Sequence, residues 1–191
     1  MRIGIDISQI AYGKTGVANF LANLVEKLIE KDLKNHYVLF FSSLRRRVPS
    51  KISSIAREHT NVEVRRFTYP PFALDFLWNR LHILTIENFV GDVDIFLTSD
   101  WTEPPARNAK KATIIYDLII YKHPEETHNK TEFNFKAFMV SPNIVDTQKR
   151  KLEWVKKESD IIFCISESTK KDIIEILGID KNKIHIIYPG I

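Results

Sequence analysis

Asp160-Ile-Ile-Phe-Cys-Ile-Ser-Glu-Ser-Thr-Lys-Lys-Asp172, continued through Leu177-Gly-Ile179 to Lys183-Ile-His-Ile-Ile187, decides the fold. Residues 161–165 are an apolar run of strand length, rich in β-branched and aromatic side chains. Ser166 and Ser168 sit where a strand passes into a helix, the position at which serine caps the first turn. Ile173, Ile174 and Leu177 then recur at helical spacing, and Gly178 follows as a left-handed C-cap residue. Lys183–Ile187 is apolar again. A strand, one helix and a second strand in so short a span form a parallel βαβ unit.

The same alternation runs back to the N-terminus. Arg2–Ile7 reads as a strand, and residues 16–31 read as an amphipathic helix with Val17, Phe20, Leu21, Leu24, Val25, Leu28 and Ile29 on one stripe. Tyr37–Phe41 is a strand, 49–58 a helix and Val62–Phe67 a strand. Pro70-Pro71 breaks the chain. Residues 74–90, with Leu74, Leu77, Trp78, Leu81 and Leu84, are expected to form one helix ended by Gly91. Val93–Leu97 and Ala112–Tyr116 are strands. The segment 121–150 is the least regular, interrupted by Pro124 and Pro142, and 146–158 is helical. The expected architecture is a single α/β domain over residues 1–191, Rossmann-like, with an open, mainly parallel sheet and helices on both faces. Tyr188-Pro-Gly-Ile191 is expected to be a turn that follows a strand with no helix after it.

Composition narrows the function classes. With 44% hydrophobic and 27% charged residues, the chain can bury a core and is not a disordered segment. Its 28 basic against 24 acidic residues are too evenly balanced for a nucleic-acid-binding protein. The positive charge is local: Arg45, Arg46, Arg47, Lys51, Arg65 and Arg66 lie in the first third, either as a solvated face or as a contact for anionic headgroups or an anionic substrate. The one cysteine, Cys164, lies inside an apolar run and reads as a buried, inert thiol. No run of about 18 apolar residues is present, and Met1-Arg-Ile-Gly-Ile-Asp6 does not resemble a signal peptide. A cytoplasmic protein, with peripheral attachment at the inner face of the membrane left open, is expected.

In open parallel sheets ligands bind beyond the carboxyl ends of the strands, near the reversal of strand order. Polar residues and glycines should therefore collect there. Ser8, Gln9, Gly13, Lys14 and Gly16 follow the first strand; Thr98, Ser99, Asp100 and Trp101 the fourth; Asp117 the fifth; Ser166-Glu167-Ser168 the sixth. The turn Tyr12-Gly-Lys-Thr-Gly16 would let a backbone approach a phosphate at a helix N-terminus, or is simply a turn that needs glycine. It matches neither the dinucleotide fingerprint nor the Walker motif. Asp117 either emerges at the rim as a functional carboxylate or caps a turn; Ser166 either meets a substrate or caps its helix. The histidines have no metal-ligand spacing, so no metal site is expected.

Three stretches together resemble the group 1 (retaining, GT-B) glycosyltransferases. Thr15-Gly-Val-Ala-Asn-Phe-Leu-Ala-Asn-Leu24 is similar to their first glycine loop and helix, and Thr113-Ile-Ile-Tyr-Asp-Leu118 with His123-Pro-Glu125 to their central segment. The closing stretch, Asp160 to Ile191, is the most specific. The resemblance implies two Rossmann-like domains facing each other across a cleft. This chain would be the N-terminal, acceptor-side domain, and the domain that binds the UDP- or GDP-linked sugar would lie beyond Ile191. It implies hexose transfer, of mannose or glucose, to a glycan or lipid-linked acceptor, with no cofactor besides the donor and no activity in this domain alone. Gly16 would approach the donor diphosphate. Tyr116 and Asp117 would be catalytic, lining the pocket for acceptor and transferred sugar, and Gly13, Asp100, Trp101, Glu125 and Ser166 would contact substrate. The family usually has histidine before the aspartate; Tyr116 stands there instead, and a phenol cannot exchange a proton near neutral pH as imidazole does.

Two other classes compete. A nucleotide-dependent oxidoreductase needs an acidic residue about 20 residues after the glycine turn, where Phe41-Ser42 stands. A non-enzymatic module could dock on a membrane or partner through Arg45, Arg46 and Arg47.

Overall fold

A computed structural model describes residues 1–13, 15–99, 101–123 and 144–189. Lys14, Asp100, Pro124, Glu125, Pro142 and Gly190-Ile191 lie outside the described residues. Seven strands, β1 (Arg2–Asp6), β2 (His36–Ser42), β3 (Val62–Phe67), β4 (Ile95–Thr98), β5 (Lys110–Ile115), β6 (Ile161–Cys164) and β7 (Ile184–Ile186), pair in parallel in the order β3-β2-β1-β4-β5-β6-β7. The expected Rossmann-like parallel sheet is therefore the observed one.

Helices α1 (Gly16–Lys31) and α2 (Ser50–Glu58) cover one face, where Leu21, Val25, Ile29 and Ile52 pack against Ile5, Leu39 and Phe41. The alternate residues of the same strands face the other way. Val38 and Phe40 meet Trp78 and Val90, and Ile115, Ile162 and Cys164 meet α6 (Ile144–Glu158) and α7 (Glu167–Leu177) through Leu152, Val155 and Ile173. This period-2 division of apolar side chains is what lets one sheet carry two cores. Cys164 is free and buried. Gly4 is required by packing: a Cβ there would lie 2.6 Å from Cδ2 of Phe96.

The single helix expected over 74–90 does not form. Pro71 opens a short helix, α3 (Pro71–Leu74), which widens into a π-helical stretch over Asp75–Arg80 and ends. His82 and Leu84 then adopt left-handed backbone angles, with φ of 52° and 62°. Only Glu87–Val90 is helical again, as α4, and Gly91 closes it with φ of 74°. Tertiary contacts override the period here. The Leu77 carbonyl accepts from Ile83 N–H (3.0 Å), the Trp78 carbonyl is bonded to His82 Nδ1 (2.8 Å), and the Trp78 indole donates back to the Leu84 carbonyl (3.0 Å).

Elsewhere the expected elements stand within a residue or two of their predicted bounds. A four-residue helix, α5 (Ile119–Lys122), follows β5. Gly178, with φ of 66°, ends α7 as a left-handed cap. No helix among the described residues is long and apolar enough to cross a membrane.

Candidate functional site

Strand order reverses between β1 and β4: the chain builds outward from β1 through β2 to β3, then crosses to β4 on its other side. The carboxyl ends of β1, β4, β5 and β6 are neighbours there, which places the expected rim at the switch point of the sheet.

From β1 the chain passes through a 3-10 turn (Ser8–Tyr12) into α1. Thr15 caps α1, its hydroxyl accepting from Ala18 N–H at 3.1 Å. Neither Gly13 nor Gly16 has a positive φ, and a Cβ on Gly16 would meet nothing within 4 Å. Conformation does not demand glycine at residue 16. What glycine supplies at that position is open access to the first N–H groups of a 16-residue helix. The turn is clamped from β2: Arg46 donates to the Ala11 carbonyl at 2.9 Å and lies over the Tyr12 ring at 5.0 Å. Arg45, Arg46 and Arg47 are all exposed, and Arg46 alone is seen engaged with the turn among the described residues.

Beyond β5, Tyr116 is buried, its ring edge-on to Phe20 with centroids 5.7 Å apart. Its phenol oxygen lies 3.1 Å from the Ser99 hydroxyl, a hydrogen bond between the ends of β5 and β4. Asp117 is exposed, and one carboxylate oxygen accepts from Ile119 N–H at 3.1 Å, closing a local turn. Ser166 caps α7, accepting from Thr169 N–H at 3.1 Å, while the Thr169 hydroxyl donates to the Tyr116 carbonyl at 3.1 Å. Asp117 and Ser166 both perform the local duty that their position in the sequence suggested. Trp101 accepts from the Asn79 amide through its carbonyl (2.9 Å), and its buried indole N–H has no partner among the described residues.

A pocket of about 100 Å³ opens here, bounded by Val17, Tyr116, Asp117, Gln148, Lys151 and Leu152. It brings together both residues expected to be catalytic and the residue after Gly16. Gly13, Gly16, Trp101 and Ser166 stand outside this lining. Gln148 and Lys151 come from α6 and were not foreseen. In Gln148-Lys-Arg-Lys151 they look like any solvated helical face, yet Lys151 is only 3% exposed. Its ammonium donates to the Ser99 carbonyl. Behind it Asp6 accepts from Ser8 N–H at 2.9 Å; burial pushes its carboxyl above the usual carboxylate range, against the opposing effects of Ser8 and the Lys151 charge. A phenol, a carboxylate, an amide and an ammonium around one space offer both acceptors and donors, as hydroxyl-bearing ligands require.

Fold and rim together define a Rossmann-like domain of the GT-B glycosyltransferase type. The model of Glycosyltransferase Family 4 matches residues 14–191, and the chain belongs to that family. Among solved structures it is similar to Phytolacca americana UGT2 complexed with UDP-2fluoro-glucose and pterostilbene. The TM-score is 0.50 and the identity 10%, covering 100% of this chain and 54% of that one. At that identity the likeness is one of fold, and the chain spans about half the length of the protein it resembles. A short-chain dehydrogenase from Oenococcus oeni PSU-1 aligns with a TM-score of 0.34 at 12% identity, over 99% of this chain and 75% of that one. No curated protein matches the sequence.

Proposed function

We propose that this glycosyltransferase domain is the acceptor-side half of a retaining enzyme. The intact enzyme moves a hexose, mannose or glucose, from a UDP- or GDP-linked donor to a glycan or lipid-linked acceptor on the cytoplasmic side of the membrane. The observation that carries the reading is the pocket between the start of α1 and the end of β5, with Tyr116 and Asp117 in its wall. Asp117 accepts a hydrogen bond from the acceptor hydroxyl and orients it, and Lys151 and Gln148 hold the neighbouring hydroxyls. Tyr116 anchors the wall through Ser99 and takes no proton near neutral pH. The uncapped N–H groups at the start of α1 face the donor diphosphate past Gly16. No metal or cofactor beyond the nucleotide sugar enters this scheme. The donor's own contacts belong to a second domain, so this half binds acceptor and does not turn over.

A glycan array probed with the 191-residue chain tests the reading. Binding to a defined set of glycans, lowered at least tenfold in Asp117→Ala, is the expected result. Protection of the chain by NAD, with no glycan retained, would replace it with the oxidoreductase reading.

A further inference from the structure

Large apolar side chains in a soluble domain are normally exposed singly. Here Tyr69, Phe72, Phe76, Leu81, Ile83 and Leu84, all within sixteen residues, are each 43–52% exposed. Leu44, 59% exposed, follows the end of β2 at the same corner of the sheet. Ser43 N–H donates to the Phe67 carbonyl and the Ser42 hydroxyl to the Tyr69 carbonyl, so the chains leaving β2 and β3 run side by side. Phe72 lies in the first turn of α3, and Phe76 follows four residues on, along the same side.

The charge around this corner is mainly positive. Residues 42–86 hold eight basic and three acidic residues. Of the acids, Asp75 is buried against Arg150 and Arg80, Glu63 is paired with Arg2 and Arg65, and Glu58 is exposed at the end of α2. Arg45 and Arg47 are exposed directly beside Leu44, and Arg66 lies one residue from the end of β3.

We propose that this corner docks on an anionic bilayer surface, Leu44, Tyr69, Phe72 and Phe76 entering the headgroup region while Arg45 and Arg47 contact lipid phosphates. A second copy of the chain is the poorer occupant, because two-fold pairing of the patch would set arginines against arginines. The proposal does not depend on the acceptor pocket, and it separates the arginines: Arg46, held on the glycine turn, takes no part.

Sedimentation of the 191-residue chain with phosphatidylcholine vesicles, with and without phosphatidylglycerol, tests it. Binding is expected only to the phosphatidylglycerol vesicles and should fall with added salt. Arg45→Ala with Arg47→Ala should weaken it roughly thirty-fold. Phe72→Ser with Phe76→Ser should weaken it about tenfold, with melting temperatures of both variants near that of the parent. Equal binding to both vesicle types, binding indifferent to these substitutions, or a dimer in solution that the phenylalanine changes dissociate would overturn it.

Discussion

Arg150 and Lys151 are consecutive on α6 and serve two unlike regions. Arg150 reaches the Asp75 carboxylate at 3.0 Å, where Arg80 and Asn79 also bind. One turn on, Trp154 donates to the Asn79 carbonyl and stacks on His82 at 3.5 Å. Glu158 then links His82 to Lys111, Lys111 pairs with Glu103, and Glu103 accepts from the Thr98 hydroxyl at 2.7 Å. Every charged side chain named in this network meets an opposite charge, and the whole staples α6 to residues 75–82. Lys151, a helical step of about 100° away, donates to the Ser99 carbonyl at the edge of the pocket. The closed region pairs its charges with one another. At the rim, Asp117, Gln148 and Lys151 line an open space.

The comparison breaks most visibly at Asp75, which is 3% exposed. Asp75→Ala removes the buried carboxylate that Arg150, Arg80 and Asn79 share and should cost about 3 kcal/mol, a fall of roughly 10 °C in melting temperature. A calorimetric change below about 1 kcal/mol would mean that the staple is ornamental. Glu87 is the next test on the closed side. One of its oxygens accepts from the backbone N–H groups of Arg107, Asn108 and Ala109 at 2.8–3.2 Å. Burial works against its charge, but those donors outweigh it and hold the carboxyl at about 2. A folded-state pKa below the unfolded one stabilises the protein above the unfolded value, about 4.5, and that contribution is lost as pH falls towards 2. Glu87→Gln should therefore destabilise by about 2 kcal/mol at pH 7, and the gap between variant and parent should narrow on acidification below pH 4.5. Denaturant midpoints across that range give the answer.

How much of this was legible follows the same division. Strands and helices whose apolar residues keep a clean period of 2 or 3.6 could be read to within a residue or two, and so could the caps at Ser166 and Gly178. The rim was legible because strand ends and glycine turns announce themselves. The 74–90 segment was misread because Leu77, Trp78, Leu81 and Leu84 do repeat like a helix. What bends the chain is the partners that Trp78, His82 and Asp75 find, one of them seventy-five residues away on α6. Lys151 was invisible for a related reason: its sequence neighbours are charged too, and only the fold decides which cation turns inward. Lys111, buried against Glu103 and Glu158, has the same history.

Substitutions at the rim should act more weakly on stability than those in the staple. Tyr116→Phe removes the bond to the Ser99 hydroxyl and leaves the ring against Phe20, so a loss of about 1 kcal/mol in chemical denaturation is expected. A loss above about 3 kcal/mol would move Tyr116 to the closed side of the comparison.

Gly16 should show the smallest effect, and its sign is the informative part. A glycine kept for its conformation resists replacement: alanine at Gly91 or Gly178, where φ is positive, must strain the backbone. At Gly16 the backbone already has the angles of a helix start, and the space where a methyl group would stand is empty. Alanine also restricts the unfolded chain more than glycine does, so Gly16→Ala should raise stability by about 0.5 kcal/mol or leave it unchanged. If folding does not require the glycine, the bare backbone is kept for something that must approach it from outside. The same methyl group that leaves the fold intact would then weaken binding of a diphosphate-bearing donor in the intact enzyme. A clear drop in melting temperature on Gly16→Ala would instead make the turn a structural one and remove it from the site.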